Sequence, residues 1–234
     1  MNKPQAMPVE RHRPIRSFVR REGRLTHGQA RALDECWPRY GINPPAQPQH
    51  PAQWFGNPQP LTLEIGFGNG DYLLHRCAAE LQRNFIGVEV HRPGVGRLLD
   101  RAAAAELNNL RVICWDAVEV LRDWLVADCL DELLIQFPDP WHKKRHHKRR
   151  LVQPAFVRLL CERLRIGGRL RLATDWQNYA EQMLAVLGAE AALRNRQADG
   201  GYAPRPDDRP VTRFEQRGER LGHAVFDLDF ERIS

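Results

Sequence analysis

From residue 61 onward the chain alternates short apolar runs with stretches whose apolar positions recur at helical spacing. The runs predict strands at 61–65, 85–90, 110–115, 132–137 and 169–173, and an alternating segment predicts a late strand at 224–230. Helices are predicted between them at 71–81, 97–107, 118–125, 153–164 and 179–187. In the fourth helix Phe156, Val157, Leu159, Leu160 and Leu164 mark a buried face, and Gly167-Gly168 reads as its stop. Strands that alternate with helices imply an α/β fold with a mostly parallel sheet covered on both faces. In such sheets ligands bind outside the carboxyl ends of the strands, so the chemistry belongs in the loops that follow them.

The first part of the chain breaks this pattern. It carries Pro44, Pro45, Pro48 and Pro51 and the cations Arg11, Arg13, Arg16, Arg20, Arg21 and Arg24, with few apolar residues to bury. Residues 1–58 are therefore expected to form a basic, proline-rich, largely flexible extension, and residues 59–234 the folded domain. Residues 28–40 are the one stretch of the extension that could be a short ordered piece. The extension reads either as a solvated tail or as a basic arm that meets RNA phosphates.

A chain of 234 residues with 42% hydrophobic and 27% charged content supports one well-buried soluble domain. No stretch is apolar enough to span a bilayer, and the N-terminus lacks the apolar core of a secretory signal. Cys36, Cys77, Cys114, Cys129 and Cys161 are widely spaced and are expected to be reduced thiols of a cytoplasmic protein. The net charge of +6 says little until its distribution is considered.

The first predicted strand runs into Gly66, Phe67, Gly68, Asn69 and Gly70, which open the next helix. Such glycines permit a tight turn and a close backbone approach to a ligand. Three acids sit at strand positions, Glu64 inside the first strand before the glycines and Glu89 and Asp116 after them. Glu64 can face a ligand's ammonium group or support the loop. Glu89 can accept both hydroxyls of a ribose, and Asp116 can accept from an adenine amino group. Each of these acids can also simply cap a helix. A dinucleotide oxidoreductase would use the glycines and Glu89 but leaves Asp116 without a purpose.

The segment after the fourth strand is the most informative. Pro138 and Pro140 restrict the backbone around Asp139, and Trp141 follows with a flat ring suited to stacking. Then come His142, Lys143, Lys144, Arg145, His146, His147, Lys148, Arg149 and Arg150. A cationic run beside a cofactor crevice suits phosphate binding, and Arg145, His146, His147, Lys148, Arg149 and Arg150 are the RNA-binding candidates. No thiolate or acidic partner accompanies the histidines, so no metal site is expected.

These motifs together resemble the bacterial tRNA (guanine-N7-)-methyltransferases. The resemblance rests on GFGNG, on GVEVHRPGVG, on PDPWHKKRHHKRR, on ATDW and on the late Thr212-Arg213-Phe214-Glu215. It covers the chain from about residue 61 to its end. It implies a Rossmann-like class I methyltransferase fold, with a mostly parallel seven-stranded sheet and one antiparallel late strand. It implies S-adenosyl-L-methionine as cofactor, held by Glu64, Gly66, Gly68, Gly70, Glu89, Asp116 and Asp139, with Asp139 also catalytic. Lys143, Asp175, Thr212, Arg213, Phe214 and Glu215 would bind substrate, a guanine in the variable region of tRNA. A monomer without membrane or metal partners is expected. Methylation of another RNA, or a non-enzymatic RNA-binding module on the same fold, stays open at this point.

Overall fold

The structure is a computed structural model and describes residues 24–210 and 224–234. The six predicted strands form, with one more beside them: β1 (Leu61–Ile65), β2 (Asn84–Val88), β3 (Leu110–Ile113), β4 (Leu130–Gln136), β5 (Leu164–Thr174), β6 (Leu193–Asn195) and β7 (Phe226–Arg232). They make one seven-stranded sheet in the order β3-β2-β1-β4-β5-β7-β6. The first five strands are parallel, and β7 runs antiparallel to both β5 and β6. This is the Rossmann-like class I methyltransferase arrangement. Strand order reverses at β1, which pairs with β2 on one side and β4 on the other. A crevice at such a switch point is where ligands enter sheets of this kind.

Among the described residues, six α-helices accompany the sheet: α1 (His27–Tyr40), α2 (Asp71–Ala79), α3 (Arg92–Ala104), α4 (Ala117–Glu119), α5 (Pro154–Arg163) and α6 (Gln177–Gly188). α4 continues as a π-helical turn over Val120–Trp124. Adjacent strand residues point to opposite faces. Leu61, Leu63, Ile65, Ile86, Val88 and Leu133 share one core with Leu121, Leu160 and Met183 of the helical layer. Phe85, Leu110 and Val112 share the other core with Leu33 and Tyr40 of α1, Leu73 of α2 and Leu98 of α3.

The structure departs from the predicted elements in ways that have physical reasons. The helix predicted over 97–107 is α3 and starts at Arg92, because Pro93 suits a first helical turn. Gly94 and Gly96 are tolerated there because they are contact points. A Cβ at Gly94 would overlap the Gly68 carbonyl oxygen, and one at Gly96 would lie 2.7 Å from the Gln29 carbonyl oxygen. Gly167-Gly168 does not stop α5, which ends at Arg163 with Leu164 as its extended cap. The glycines lie inside β5, where Leu164 pairs with Leu130 but Arg169 already pairs with Glu132, so the extra residues bulge out. β6 has three residues, too few for an alternating pattern to register.

α1 lies within residues 1–58. A capping box starts it: Gln29 N–H donates to Thr26 Oγ1 at 3.2 Å, and Thr26 N–H donates to Gln29 Oε1 at 2.9 Å. Tyr40 is fully buried at its other end and donates its hydroxyl to the Ala102 carbonyl at 3.1 Å. The helix is thereby fixed to α3, and α3 abuts the glycine turn through Gly94.

The α2 side of the sheet is not apolar throughout. Glu132 accepts from Thr62 Oγ1 and Arg76 Nη2, both at 3.0 Å, and from Arg171 Nη1 at 3.2 Å. Arg171 donates in turn to Asp208 at 2.9 and 3.0 Å. Burial alone would raise the Glu132 carboxyl, but Arg76 and Arg171 outweigh it and hold it below its ordinary value. Such a group persists in an interior only with its partners in place. Among the described residues, no helix is long and apolar enough to cross a membrane.

The contact of α1 with α3 has a direct test. Gly96→Ala should destabilise the protein by about 1–3 kcal/mol in urea titration, because the Gln29 backbone must give way. Gly28→Ala, where nothing lies within 4 Å of the added carbon, should show no loss. An unchanged midpoint for Gly96→Ala would refute the close contact.

Candidate active site

The carboxyl ends of β1, β2, β3 and β4 enclose a cleft of about 230 Å³. Ile65 and Gly66 form its floor, Val88, Glu89 and Val90 one wall, and Trp115, Asp116 and Ala117 another. Gln136, Phe137, Pro138, Asp139 and Leu151 close the remaining side.

Gly66, Gly68 and Gly70 have φ of +73°, +57° and +74°, which only glycine adopts at no steric penalty. No atom lies within 4 Å of a Cβ built on Gly66 or Gly68, so their turn faces open space. Gly70 caps α2. The Gly68 N–H donates to Glu89 Oε2 at 3.0 Å. Glu89 Oε1 accepts from Val90 and His91 N–H at 2.7 and 2.9 Å. One carboxylate thus ties the glycine turn to the end of β2 while lining the cleft. Asp116 Oδ1 caps α4 by accepting from the Val118 N–H at 2.9 Å, so capping and cleft-lining coincide there.

Glu64 is 2% exposed, and its Oε2 has no hydrogen-bond partner. Burial pushes its carboxyl up to about 8, against the pull of Arg76 and with added repulsion from Glu132 and Glu89. An orphaned buried acceptor next to an open glycine turn is what a cationic ligand group would complete. With Glu89 and Asp116 on the following strand ends, the donor and acceptor set fits S-adenosyl-L-methionine, whose amino group, ribose and adenine are polar in that order.

Asp139 is exposed on a short loop whose flanks are unusual. Phe137 and Trp141 have φ of +50° and +48°, a left-handed backbone that bulky residues rarely adopt. Each is held by an arginine. The Arg209 guanidinium sits 5.7 Å from the Phe137 ring centroid, and the Arg149 guanidinium 4.1 Å from that of Trp141. Phe137 N–H also donates to the Ala173 carbonyl at 2.8 Å.

Arg150 corrects an expectation. It is 2% exposed and not a surface cation. Its Nε donates to the Pro140 carbonyl at 2.8 Å, its Nη1 to Gln182 Oε1 at 2.6 Å and its Nη2 to Asn178 Oδ1 at 3.0 Å, while the guanidinium lies 4.7 Å from the Tyr179 ring. It fastens the Asp139 loop from beneath. Trp141 likewise has one face covered by Arg149, so the open stacking platform expected there is partly occupied. The rest of the run, Lys144–Arg149, is a 3₁₀ stretch with Lys143 at its start. Lys143, Lys144, Arg145 and Lys148 are exposed, His146, His147 and Arg149 partly so.

Asp175 does not line this cleft. It lies in a neighbouring depression of about 500 Å³ with Trp176, Asn178, Glu181 and Phe226. Trp176 of that depression meets the His142 ring edge-on, with centroids 4.3 Å apart. Thr212, Arg213, Phe214 and Glu215, and the arginines up to Arg21, lie outside the described residues. Among the described residues no cluster of His, Cys, Asp or Glu is arranged to hold a metal. Two contributors escaped the sequence reading. Trp115 is exposed at the cleft mouth with its indole N–H on Glu119 at 2.6 Å; its position one residue before Asp116 was a usable signal. Arg209 had none, because its partners are remote in sequence.

Glu64 makes a prediction about pH. Its folded value lies above the ordinary 4.5, so the folded ligand-free protein penalises the ionised form. Stability from this group is full below about 4.5, declines as pH rises toward about 8 and then levels off. Glu64→Gln should remove that decline, gaining on the wild type by about 1 kcal/mol per pH unit across the interval in chemical denaturation. Parallel pH curves for the two proteins would contradict the buried, unpaired assignment.

Comparison with known proteins agrees with this geometry. The family model described as "Putative methyltransferase" matches residues 58–228. The tRNA (guanine-N(7)-)-methyltransferase of Ectopseudomonas mendocina (strain ymp) is 54% identical over 220 residues, 94% of this chain and 92% of that protein. The protein of the same name from Serratia proteamaculans (strain 568) is also 54% identical, over 94% of this chain and 92% of its own length. Among solved structures, the 16S rRNA methyltransferase KamB aligns with TM-score 0.59 at 16% identity, over 78% of this chain and 92% of that one, which shows a shared fold. On the strength of the family model and of relatives this similar over nearly their whole length, the chain belongs to the tRNA (guanine-N(7)-)-methyltransferase family.

Proposed function

We propose that this protein transfers a methyl group from S-adenosyl-L-methionine to N7 of a guanine in tRNA, and that the cleft between Gly66 and Asp139 is where it does so. The observation that carries the proposal is the placing of Asp139. It stands on a fastened loop, in the same cleft as the open glycine turn, and a cationic stretch begins four residues beyond it. Family membership supports the reaction, and the variable region of tRNA is the site that the sequence resemblance implies.

S-adenosyl-L-methionine, when bound, supplies a methyl carbon made electrophilic by its sulfonium. Gly66, Gly68, Gly70, Glu64, Glu89 and Asp116 would hold the cofactor, and Asp139 closes the cleft opposite them. Guanine N7 offers a lone pair and carries no proton, so no base is required to prepare it. As N7 bonds to the methyl carbon, the methyl–sulfur bond would break, a neutral thioether would leave, and the positive charge would pass to the guanine ring. A carboxylate beside the ring then interacts more strongly with the transition state than with the neutral base. Asp139 takes this part in the proposal, and the stiffness of its loop keeps the carboxylate placed without reorganisation. Lys143, Asp175 and the Thr212 to Glu215 segment are assigned to the substrate by resemblance. The exposed cations Lys144, Arg145 and Lys148 suit tRNA phosphates. A cytoplasmic place of action follows from a tRNA substrate.

The reaction is tested with labelled S-adenosyl-L-methionine and unmodified tRNA, followed by nucleoside analysis. Label in 7-methylguanosine is expected; label in another nucleoside would overturn the assigned atom. Asp139→Ala should lower kcat by about 10²–10³-fold, while tRNA affinity stays near wild type. Comparable loss of tRNA affinity would remove Asp139 from its catalytic part. Replacing Lys144, Arg145 and Lys148 by glutamine should weaken tRNA binding and reduce its salt slope by about one for each phosphate no longer neutralised. An unchanged slope would move the RNA surface elsewhere.

A further inference from the structure

Arg209 stands outside the motifs and outside the cleft lining, yet it touches what Asp139 depends on. Its side chain is 1% exposed. Its Nη1 and Nη2 grip the Asp227 carboxylate on β7, the latter at 3.0 Å. The same Nη1 reaches Gln136 Oε1 at 3.3 Å, and the guanidinium lies over the Phe137 ring. Gln136 and Phe137 are the two residues immediately before Pro138 and Asp139, and both line the cleft. Arg209 itself is set by a turn, its N–H donating to the Pro206 carbonyl at 3.2 Å. Next to it Asp208 is fixed by Arg171.

A left-handed backbone at a phenylalanine persists only where its surroundings over-determine it. The Phe137 N–H bond to Ala173 fixes one end of the peptide but does not set the ring. The Arg209 guanidinium lies over that ring and, through Nη1, holds the residue before it. A planar fork can bridge Asp227, Gln136 and an aromatic face at once; an ammonium cannot.

We infer that Arg209 is a positioning residue for methyl transfer: it locks the Gln136 and Phe137 turn and thereby sets the direction of the Asp139 carboxylate. The inference rests on the assignment of Asp139 to the developing charge on guanine. Arg209 acts without touching substrate or cofactor. A purely structural arginine, present only to neutralise Asp227, would affect melting and leave the chemical step alone.

The test uses the full chain, S-adenosyl-L-methionine and unmodified tRNA. Arg209→Lys keeps a charge beside Asp227 and gives up the bridge. It should lower kcat by about tenfold or more, while cofactor affinity by calorimetry and KM for tRNA stay within about threefold. The decisive readout is the combination with Asp139→Asn in single turnover. If Arg209 acts through Asp139, adding Arg209→Lys to Asp139→Asn costs no further rate. Losses that multiply in full would overturn the inference. So would a kcat within about threefold of wild type, or cofactor affinity falling in step with kcat. Should Arg209→Lys melt below the assay temperature, Arg209→Met with Asp227→Asn removes both buried charges and is scored in the same way. If Asp139→Asn alone proves fully active, the assignment of Asp139 fails, and that result is distinct from failure of the part given to Arg209.

Discussion

Everything in the proposed chemistry depends on a loop held in a conformation it would not choose by itself. Phe137 and Trp141 both take the left-handed backbone, at about 1–3 kcal/mol each for residues of this kind. Three arginines hold the result, two adjacent and one remote in sequence: Arg149 over Trp141, Arg150 on the Pro140 carbonyl, and Arg209 over Phe137. Pro138 and Pro140 remove most of the remaining freedom. The outcome is an Asp139 backbone held at the edge of a cleft, where a charge-stabilising group is most effective when it need not move.

The opposite wall is built on the same logic. The glycine turn is held in front by Glu89, which accepts the Gly68 N–H, and behind by α3, which touches the Gly68 carbonyl at Gly94. α3 is braced in turn by α1, through Gly96 and the Tyr40 hydroxyl. The one acceptor left open there is Glu64 Oε2, buried under the turn. The cleft is therefore braced on both sides, and the buried Glu64 acceptor beside the turn suits a cationic group.

Much of this was legible in the sequence, for reasons that can be stated. Strands from 61 to 174 show because fully covered parallel strands are continuous apolar runs, and the glycine turn shows because only glycine serves there. Asp139 stood out because two prolines flank it. What was hidden falls into two kinds. Local features without a periodic signal were missed, such as the three-residue β6 and the bulge that takes Gly167-Gly168 into β5. Features made by residues remote in sequence were missed as well. A charge run reads as one surface, and nothing in it marks Arg150 as the member that turns inward to Asn178 and Gln182. Arg209 meets Gln136 and Phe137 only because β7 brings Asp227 beside the end of β4 through β5.

The claim that the Asp139 loop is ready before its ligand arrives is tested most directly by crystal structures with and without S-adenosylhomocysteine. Residues 137–141 are predicted to superimpose within about 1 Å, with Phe137 and Trp141 left-handed in both. A loop that rebuilds by more than about 2 Å on binding, or either aromatic relaxing to negative φ in one of the two states, would contradict it.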